Sequence, residues 1–271
     1  MKVLVSHDVD HIGFYEHMFD GIAEKFFIRS FLELAIGRIS FGTLHERIRR
    51  SRKNSWNNIE AILDFDSNNG IPSTFFVGVS NGLGLSYGFE DAVRTIQLIQ
   101  RFGFDVGVHG IAFDDPILVK KEHDKFLAAT GKGDFGIRLH YLRLSSTTKS
   151  LLNQAGYLYD ATELRFGGPS MEDNLVELPI TEMDGRLLEQ KPFGVQVCDF
   201  ELVMDRTRRI IETAETSGSN YFSLLFHDRY FSSEYPFWKR WYIQTILLLK
   251  SKGHEFVSHR DTALSMISKE E

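Results

Sequence analysis

The feature that most constrains the fold of this chain is the alternation of short apolar runs with longer amphipathic segments. Seven runs have the length and side chains of β-strands, at residues 2–6, 73–79, 105–108, 136–140, 175–178, 221–226 and 255–257. Helical patterns lie between them, at residues 57–68, 90–101, 116–129, 147–155, 198–216 and 237–251. This rhythm predicts an α/β fold of parallel strands joined by crossover helices. About seven strands suit an irregular (β/α) barrel, although an open doubly wound sheet fits the pattern nearly as well.

The length of 271 residues is enough for one large domain with a full core. We find no internal repeat, low-complexity tract or linker, so we predict a single domain over residues 1–271. Residues 24–53 interrupt the alternation, because a Phe-rich apolar stretch runs there into a cluster of five basic residues. We interpret this segment as a helical insertion with a solvated charged face. The alternative is a patch that faces anionic lipid or a sugar pyrophosphate.

Charge and cysteine content exclude several classes of function. The formal net charge of −6 argues against a nucleic-acid partner, which usually requires a basic surface. Cys198 is the single cysteine, so the chain forms no internal disulfide and any metal must be held by His, Asp or Glu. The apolar run at the N-terminus is too short for a signal peptide, and no window approaches the ~20 apolar residues of a membrane span. These observations predict a cytoplasmic location.

Histidine and aspartate residues cluster where four predicted strands end. The four clusters are Ser6-His7-Asp8-Val9-Asp10-His11, Val108-His109-Gly110, Arg138-Leu139-His140-Tyr141 and Phe226-His227-Asp228. The carboxyl ends of parallel strands face the same side of an α/β fold, and functional sites form there. The sequence therefore predicts that these clusters converge on one site. The remaining histidines lie in helical or loop contexts, and we interpret them as structural or solvated: His17, His45, His123, His254 and His259.

Asp8 and Asp10 are the strongest candidates for chemistry. Strand alternation puts both on one face, where two close carboxylates repel each other unless a cation lies beside them. One carboxylate can hold a metal while the other takes a proton from water. The alternative is a helix cap near Ile12, but a cap uses one Asp rather than two flanked by two His.

The other three clusters each contribute a candidate. His109 is a plausible second metal ligand once it is considered together with the two carboxylates. Arg138 would hold a neighbouring carboxylate ionised, and His140, on the same strand face, is either a ligand or a packed neighbour. His227 follows a very apolar strand and is a candidate proton donor to a leaving amine.

These residues resemble the motifs of the polysaccharide deacetylase family, also called the NodB-homology family or family-four carbohydrate esterases. The resemblance runs from residue 2 to about residue 265. The family's first motif carries a catalytic base and then a metal ligand, and the variant with one spacer matches Asp8-Val9-Asp10. By that similarity Asp8 is the base and Asp10 is the ligand. The family's fold, an irregular barrel of about seven β/α units, agrees with the strand pattern.

Two further motifs carry the resemblance into the second half of the chain. The family's Arg-x-Pro-Tyr motif is similar to Arg138-Leu139-His140-Tyr141, in which His replaces Pro. The resemblance implies that Arg138 pairs with Asp8 and that the backbone N–H of Tyr141 contributes to an oxyanion hole. The family's last motif places a His after an apolar strand, which His227 matches.

The family's second motif, His-x-x-x-His, is altered. His109 is followed four residues later by Phe113. The third metal ligand could therefore be Asp114, His140 or His11, or it could be missing, and we assign Asp10, His109 and His140 as the ligand set.

The resemblance implies a metal-dependent deacetylase that hydrolyses the N-acetyl amide of a sugar with Zn²⁺ or a similar divalent ion. The expected partner is an N-acetylated sugar, nucleotide sugar or lipid-linked glycan in the biosynthesis of a surface polysaccharide such as an O-antigen, with peripheral membrane contact for a lipid-linked substrate. Two alternatives are a different metal amidohydrolase or phosphoesterase and a non-catalytic sugar-binding protein on the same fold.

Overall fold

The computed structural model describes residues 1–190 and 194–269. The strands are β1 (Lys2–Val9), β2 (Thr74–Val77), β3 (Asp105–Gly110), β4 (Ile137–Leu139), β5 (Tyr159–Asp160), β6 (Ser170–Glu172), β7 (Leu175–Glu177), β8 (Glu182–Met183), β9 (Glu189–Gln190), β10 (Val195–Gln196), β11 (Tyr221–Leu225) and β12 (Glu255–Val257). The α-helices are α1 (Ile22–Ala35), α2 (Phe41–Arg52), α3 (Ile59–Asn69), α4 (Phe89–Arg101), α5 (Pro116–Thr130), α6 (Thr148–Ala155), α7 (Asp184–Leu188), α8 (Phe200–Thr216), α9 (Pro236–Ser251) and α10 (His259–Ile267).

A ten-stranded sheet forms the centre of the fold. Its strands follow the order β6-β7-β5-β4-β3-β2-β1-β11-β8, and β12 also pairs with β1. All pairs in this sheet are parallel except β6 with β7. Residues 175–183 pair with β5 at their start, through β7, and with β11 at their end, through β8. This one extended segment curls the sheet into an irregular barrel, which confirms the predicted fold class.

Each of the seven runs predicted as strands contains a strand, and the six predicted helical segments correspond to α3–α6, α8 and α9. The sequence did not indicate strands β5, β6, β8, β9 and β10, each only two or three residues long, or helices α7 and α10. A strand of two residues has no measurable side-chain period, so only its pairing partners can reveal it.

Residues 24–53 are helical, as predicted, and fold into α1 and α2. The basic cluster is not simply a solvated face, because Arg47 is buried with its Nη1 2.6 Å from Glu33 Oε2. Arg49 pairs at the surface with Glu46. Buried arginine is retained where its charge is paired, so Arg47 joins α2 to α1 rather than facing a ligand. No helix in the described ranges is both long and apolar enough to cross a membrane.

Strand β1 orients the side chains that matter for the site. Asp8 approaches Arg138 on β4, whereas His7 lies on the opposite face of the strand. There His7 Nε2 is 2.9 Å from Asp66 Oδ2 on α3 and its Nδ1 is 2.8 Å from Phe226 O. The alternation therefore divides the His-Asp-Val-Asp run between a packing face and a site face.

A second pair of carboxylates is buried away from these residues, on β5 and β7. Asp160 and Glu177 are register partners, and neither is exposed. Both Glu177 oxygens lack a hydrogen-bond partner among the described residues, and Lys149 Nζ lies 3.4 Å from Glu177 Oε2. Burial raises the pKa of both groups, and the charge of Asp160 raises that of Glu177 further. The pair therefore retains a proton at neutral pH.

We expect this pair to make folding less favourable as the pH rises. The unfolded chain releases these protons from about pH 4 upward, whereas the folded chain holds them to higher pH. Glu177→Gln, which cannot ionise, should raise the free energy of unfolding at pH 8 by roughly 1–2 kcal/mol and leave it nearly unchanged at pH 4. Urea unfolding of both proteins between pH 4 and pH 9 measures this. Parallel pH profiles would contradict it.

Candidate active site

Asp8 and Arg138 form a buried ion pair between β1 and β4. Arg138 Nη1 donates to Asp8 Oδ1 at 2.9 Å and to Ser6 Oγ at 2.7 Å, and Nε donates to Ala161 O at 2.8 Å. The guanidinium also lies over the Phe76 ring, 4.3 Å from its centroid. Burial alone would raise the pKa of Asp8, but the charge of Arg138 and of nearby histidines lowers it overall. Asp8 is thus an ionised carboxylate held in one orientation.

Asp10, His109 and His140 bring three potential metal ligands together. His109 Nε2 lies 3.1 Å from Asp10 Oδ1, and His140 Nδ1 lies 2.9 Å from His109 Nε2. His140 Nδ1 is also 3.5 Å from Asp10 Oδ1, and one ligand atom from each residue lies within 4.8 Å of the others. The three residues come from the ends of β1, β3 and β4, as the strand-end argument predicted.

The hydrogen bonds of the two histidines fix which nitrogen faces the group. His109 Nδ1 is 3.0 Å from Arg138 O, and His140 Nε2 is 3.1 Å from Leu83 O. Because a carbonyl oxygen only accepts, these nitrogens carry the hydrogens. When both rings are neutral, the opposite nitrogens direct lone pairs at each other across 2.9 Å. Two lone pairs and a carboxylate repel one another unless a cation lies among them, and this donor set suits a divalent ion such as Zn²⁺ with an open position for water.

The electrostatics of these residues favour one positive charge among the carboxylates. Burial would raise the pKa of Asp10, but its hydrogen bond to His109 and the nearby histidine charges hold the pKa well below its usual value. Burial and the charge of His109 lower the pKa of His140 to about 4. Burial would lower the pKa of His109, but the carboxylates of Asp8 and Asp10 raise it, so a proton on His109 and a metal ion would compete for the same position.

The altered second motif has a structural explanation. After His109 the chain does not continue as a helix, because Glu122 accepts hydrogen bonds from the backbone N–H groups of the residues that follow Gly110. Helix α5 begins only after Asp115, whose side chain caps it. Phe113 therefore does not lie one helical turn from His109, and the histidine that joins the group comes from β4 instead.

His227 lies beside the group, at the end of β11. Its Nε2 is 3.7 Å from Asp10 Oδ2, while its Nδ1 is 2.9 Å from Asp184 Oδ1. Burial would lower the pKa of His227, but the carboxylates of Asp184, Asp10 and Asp8 raise it well above its usual value. His227 is therefore a protonated imidazole with its Nε2 side toward the group.

Asp184 is the residue that sequence reasoning missed. It is fully buried at the start of α7 and accepts from both the backbone N–H and the ring of His227. It follows β8, a strand of two residues that no periodicity reveals. The available signal was the rule used for the other clusters, because Asp184 directly follows a strand parallel to β11.

A second group of potential ligands consists of His11, Glu16 and His17. His17 is buried, its Nδ1 is 2.7 Å from Asp20 Oδ2, and its Nε2 is 2.8 Å from His11 Nδ1. Burial and the nearby charge of Arg229 lower the pKa of His11 well below its usual value. An adjacent guanidinium opposes a second cation, so we interpret this group as a hydrogen-bonded network. The remaining alternative from the sequence, Asp114, lies outside both groups.

Tyr141 has a left-handed backbone conformation, with φ 58°, and so does Leu142, with φ 51°. Neither is glycine, and each such residue costs about 1–3 kcal/mol. Tyr141 is two-thirds exposed, and its ring lies 4.1 Å from that of His140. The strained turn thus joins the metal-ligand candidate to the cleft, and the role of the Tyr141 N–H stays a prediction.

Asp10, His11, His140 and Tyr141 border one cleft of about 580 Å³. This volume lies in the range of small-molecule sites. The cleft is lined by Asp10, His11, Ile22, Lys25, Phe26, Arg29, Leu83, Gly84, His140, Tyr141, Glu189, Gly194, Arg229, Tyr230 and Tyr235. Helix α1 of the insertion supplies one of its walls.

Comparison with known proteins identifies the class of fold. No model of a known protein family matches the chain, and no curated protein matches it. A candidate polysaccharide deacetylase from Mycobacterium smegmatis aligns with a TM-score of 0.68 and 17% identity, over 99% of this chain and 91% of the other. The chain therefore has the fold of the NodB-type polysaccharide deacetylases.

Two other solved structures show how much chemistry varies on related folds. The CE4 family pseudoenzyme BA3943 of Bacillus anthracis aligns with a TM-score of 0.52 and 11% identity, over 97% of this chain and 65% of the other. The 4-α-glucanotransferase of Thermococcus litoralis aligns with a TM-score of 0.50 and 11% identity, over 98% and 40%. The fold alone therefore does not determine the activity, which must be argued from the site.

We expect the group of Asp10, His109 and His140 to bind one Zn²⁺ per chain. His140→Gln should weaken Zn²⁺ binding roughly 100-fold or more, because it removes one of three ligands. His17→Gln is the matched control and should leave the stoichiometry at one. Calorimetric titration with Zn²⁺ measures both. Two ions in the native chain, falling to one in the His17 variant, would contradict the single-metal assignment and favour a two-metal hydrolase.

Proposed function

We propose that this protein is a metal-dependent deacetylase that hydrolyses the N-acetyl amide of a sugar. The observation that carries the proposal is that three groups with different protonation states lie close together. An ionised carboxylate, Asp8, lies 3.9 Å from the ligand atom of His109. A protonated imidazole, His227, lies 3.7 Å from Asp10. Carboxylate, metal-ligand set and imidazolium are the base, electrophile site and acid that amide hydrolysis needs.

Asp10, His109 and His140 would hold the metal, and we propose Zn²⁺ because two imidazole nitrogens and one carboxylate suit it. When bound, the ion would polarise the acetamide carbonyl and make an attacking water more acidic. The ligand residues themselves have only to keep their lone pairs directed inward. Their hydrogen bonds to Arg138 O and Leu83 O hold them in that orientation.

Asp8 takes the proton of the attacking water in this proposal. Arg138 occupies its Oδ1, and its Oδ2 is the oxygen nearest His109. The low pKa of Asp8 keeps this oxygen unprotonated at neutral pH, so that it is available to accept. Arg138 acts through Asp8 by fixing its orientation.

His227 donates the proton that the leaving sugar nitrogen requires. Asp184 binds its Nδ1, which leaves the Nε2 hydrogen directed toward the group. The backbone N–H of Tyr141 would stabilise the oxyanion, an interaction typically worth about 3 kcal/mol. The side chain of Tyr141, which lines the cleft and is two-thirds exposed, offers an aromatic surface against which a sugar ring can pack.

We further propose that the substrate is a small N-acetylated sugar donor, as a nucleotide sugar or a lipid-linked glycan, and that the reaction serves the assembly of a surface polysaccharide such as an O-antigen in the cytoplasm. The volume of the cleft, about 580 Å³, supports a small donor over an extended polymer.

The alternative is a non-catalytic sugar-binding protein, and the pseudoenzyme among the structural neighbours favours it. A mutant of that pseudoenzyme is described as having restored enzymatic activity. The two functions differ in a direct observation. Sugar binding without metal, and no release of acetate with it, would favour the binding protein.

Asp8→Asn should lower kcat for release of acetate from N-acetylhexosamine donors by about 10²–10⁴-fold, because an amide cannot take the proton. Zn²⁺ content and the unfolding transition should stay close to native, since the group of three ligands is unchanged. Asp64→Asn, an exposed substitution on α3, is the matched control. Near-native turnover of the Asp8 variant would reject the base assignment.

Asp184→Asn should lower kcat on the amide substrate roughly 10- to 100-fold, because His227 loses the carboxylate that keeps it protonated. Hydrolysis of 4-nitrophenyl acetate, whose leaving group needs no proton, should fall much less. This comparison separates proton donation from a merely structural role. An equal loss on both substrates would count against His227 as the acid.

A further inference from the structure

We propose that the cleft carries a subsite for a phosphate or diphosphate ester, formed by Lys25, Arg29 and Arg229. The inference rests on the proposed function, because it names the class of sugar donor that the same cleft would take. All three cations line the cleft that also contains Asp10 and His140. The chain as a whole carries a net charge of −6, so three cations in one cleft run against its overall balance.

Arg229 is the central group of this subsite. It is only 8% exposed, and its guanidinium stacks 3.7 Å from the centroid of the Trp56 ring. A hydrogen bond of 3.3 Å from its Nη2 to Tyr235 Oη holds the guanidinium in place. Its Nε has no hydrogen-bond partner among the described residues. A buried guanidinium donor without an acceptor is costly, and an anion in the cleft would supply the acceptor.

Arg29 repeats this arrangement on helix α1. Its Nε is 3.1 Å from Glu33 Oε1 and its Nη1 is 2.8 Å from Glu189 Oε1. Its Nη2 is buried and has no hydrogen-bond partner within the described ranges. The two carboxylates hold the guanidinium in place, and its third nitrogen has an unfilled hydrogen-bonding position.

Lys25 completes the subsite one helical turn before Arg29, so the two side chains share a face of α1. It is exposed, and it makes no ion pair with any described residue. The acidic side chains that line the cleft are Asp10, which belongs to the metal-ligand group, and Glu189, which pairs with Arg29. No carboxylate among the described lining residues pairs with Lys25 or Arg229; Glu234, the buried carboxyl group on which the charge of Arg229 acts, lies outside the lining.

Two sources of a sugar diphosphate are consistent with this chemistry. A nucleotide sugar would place its diphosphate on the three cations and its base outside them. A lipid-linked sugar would do the same and direct its chain toward α1, where Ile28 and Phe31 are 69% and 54% exposed. The shared element is the diphosphate, and ligands with different tails distinguish the two sources.

Calorimetric titration with inorganic diphosphate tests the subsite directly. Excess EDTA removes metal, so that chelation at Asp10, His109 and His140 does not contribute. Native protein should bind diphosphate, and Lys25→Gln should bind it about 10-fold more weakly. Lys121→Gln, an exposed lysine on α5, is the control and should bind as native. Arg229→Lys keeps the positive charge but removes the planar guanidinium, and it should also weaken diphosphate binding. If this variant does not fold, Lys25→Gln alone still tests the subsite.

Parallel titrations with uridine diphosphate and with a short prenyl diphosphate identify the source of the ligand. The source is the one whose tail makes binding tighter than that of inorganic diphosphate. Native protein without diphosphate affinity, or equal affinity in the Lys25 and Lys121 variants, would overturn the subsite. Acetate release from an uncharged N-acetylhexosamine would then still support the deacetylase. Conversely, diphosphate binding that Lys25→Gln weakens, in a protein that releases no acetate, would keep the subsite and reject the deacetylase.

Discussion

Arg138 is the residue on which the arrangement of the site depends. Its side chain fixes Asp8 by a bond of 2.9 Å, and its backbone oxygen fixes the ring of His109 at 3.0 Å. Two residues further along the chain lies His140, so a single strand end orients the proposed base and both imidazoles. A guanidinium this deeply buried is stabilised only by good partners; Ser6 Oγ and Ala161 O are two more, while Nη2 has none among the described residues.

The position of His140 shows how a proposed metal-ligand set can draw a histidine from a different element of the fold. In the family pattern two histidines lie one helical turn apart, and here the backbone after His109 is instead tied to Glu122. A strand end next to β3 offers an equivalent position, because His109 is in register with Arg138 on β4. Because of this register, His140, two residues after Arg138, lies close to His109. Position on the sheet edge therefore matters more than spacing along the chain.

The sequence predicted the parts of this structure that have a repeat or a shared position. Seven runs were long enough to show strand character, and the residues at their ends could be grouped by one rule of parallel sheets. The sequence analysis missed Asp184 and Leu83, each for a different reason. Asp184 follows a strand of only two residues. Leu83 contributes its backbone oxygen, which a residue of any type at that position would provide. The burial of Arg47 was also hidden, because its partner Glu33 belongs to another helix.

The charges on α1 and α2 illustrate how a basic cluster in a sequence differs from a basic surface. Arg47 is used inside the protein, and its ion pair to Glu33 ties the two helices together. Glu33 Oε1 in turn accepts from Arg29 Nε, so the buried pair also steadies a residue that lines the cleft. Of the cations that reach the cleft, Lys25 and Arg29 come from the apolar stretch of the insertion, whereas Arg229 follows β11. Packing, rather than local charge density, thus decides which side chains can meet a ligand.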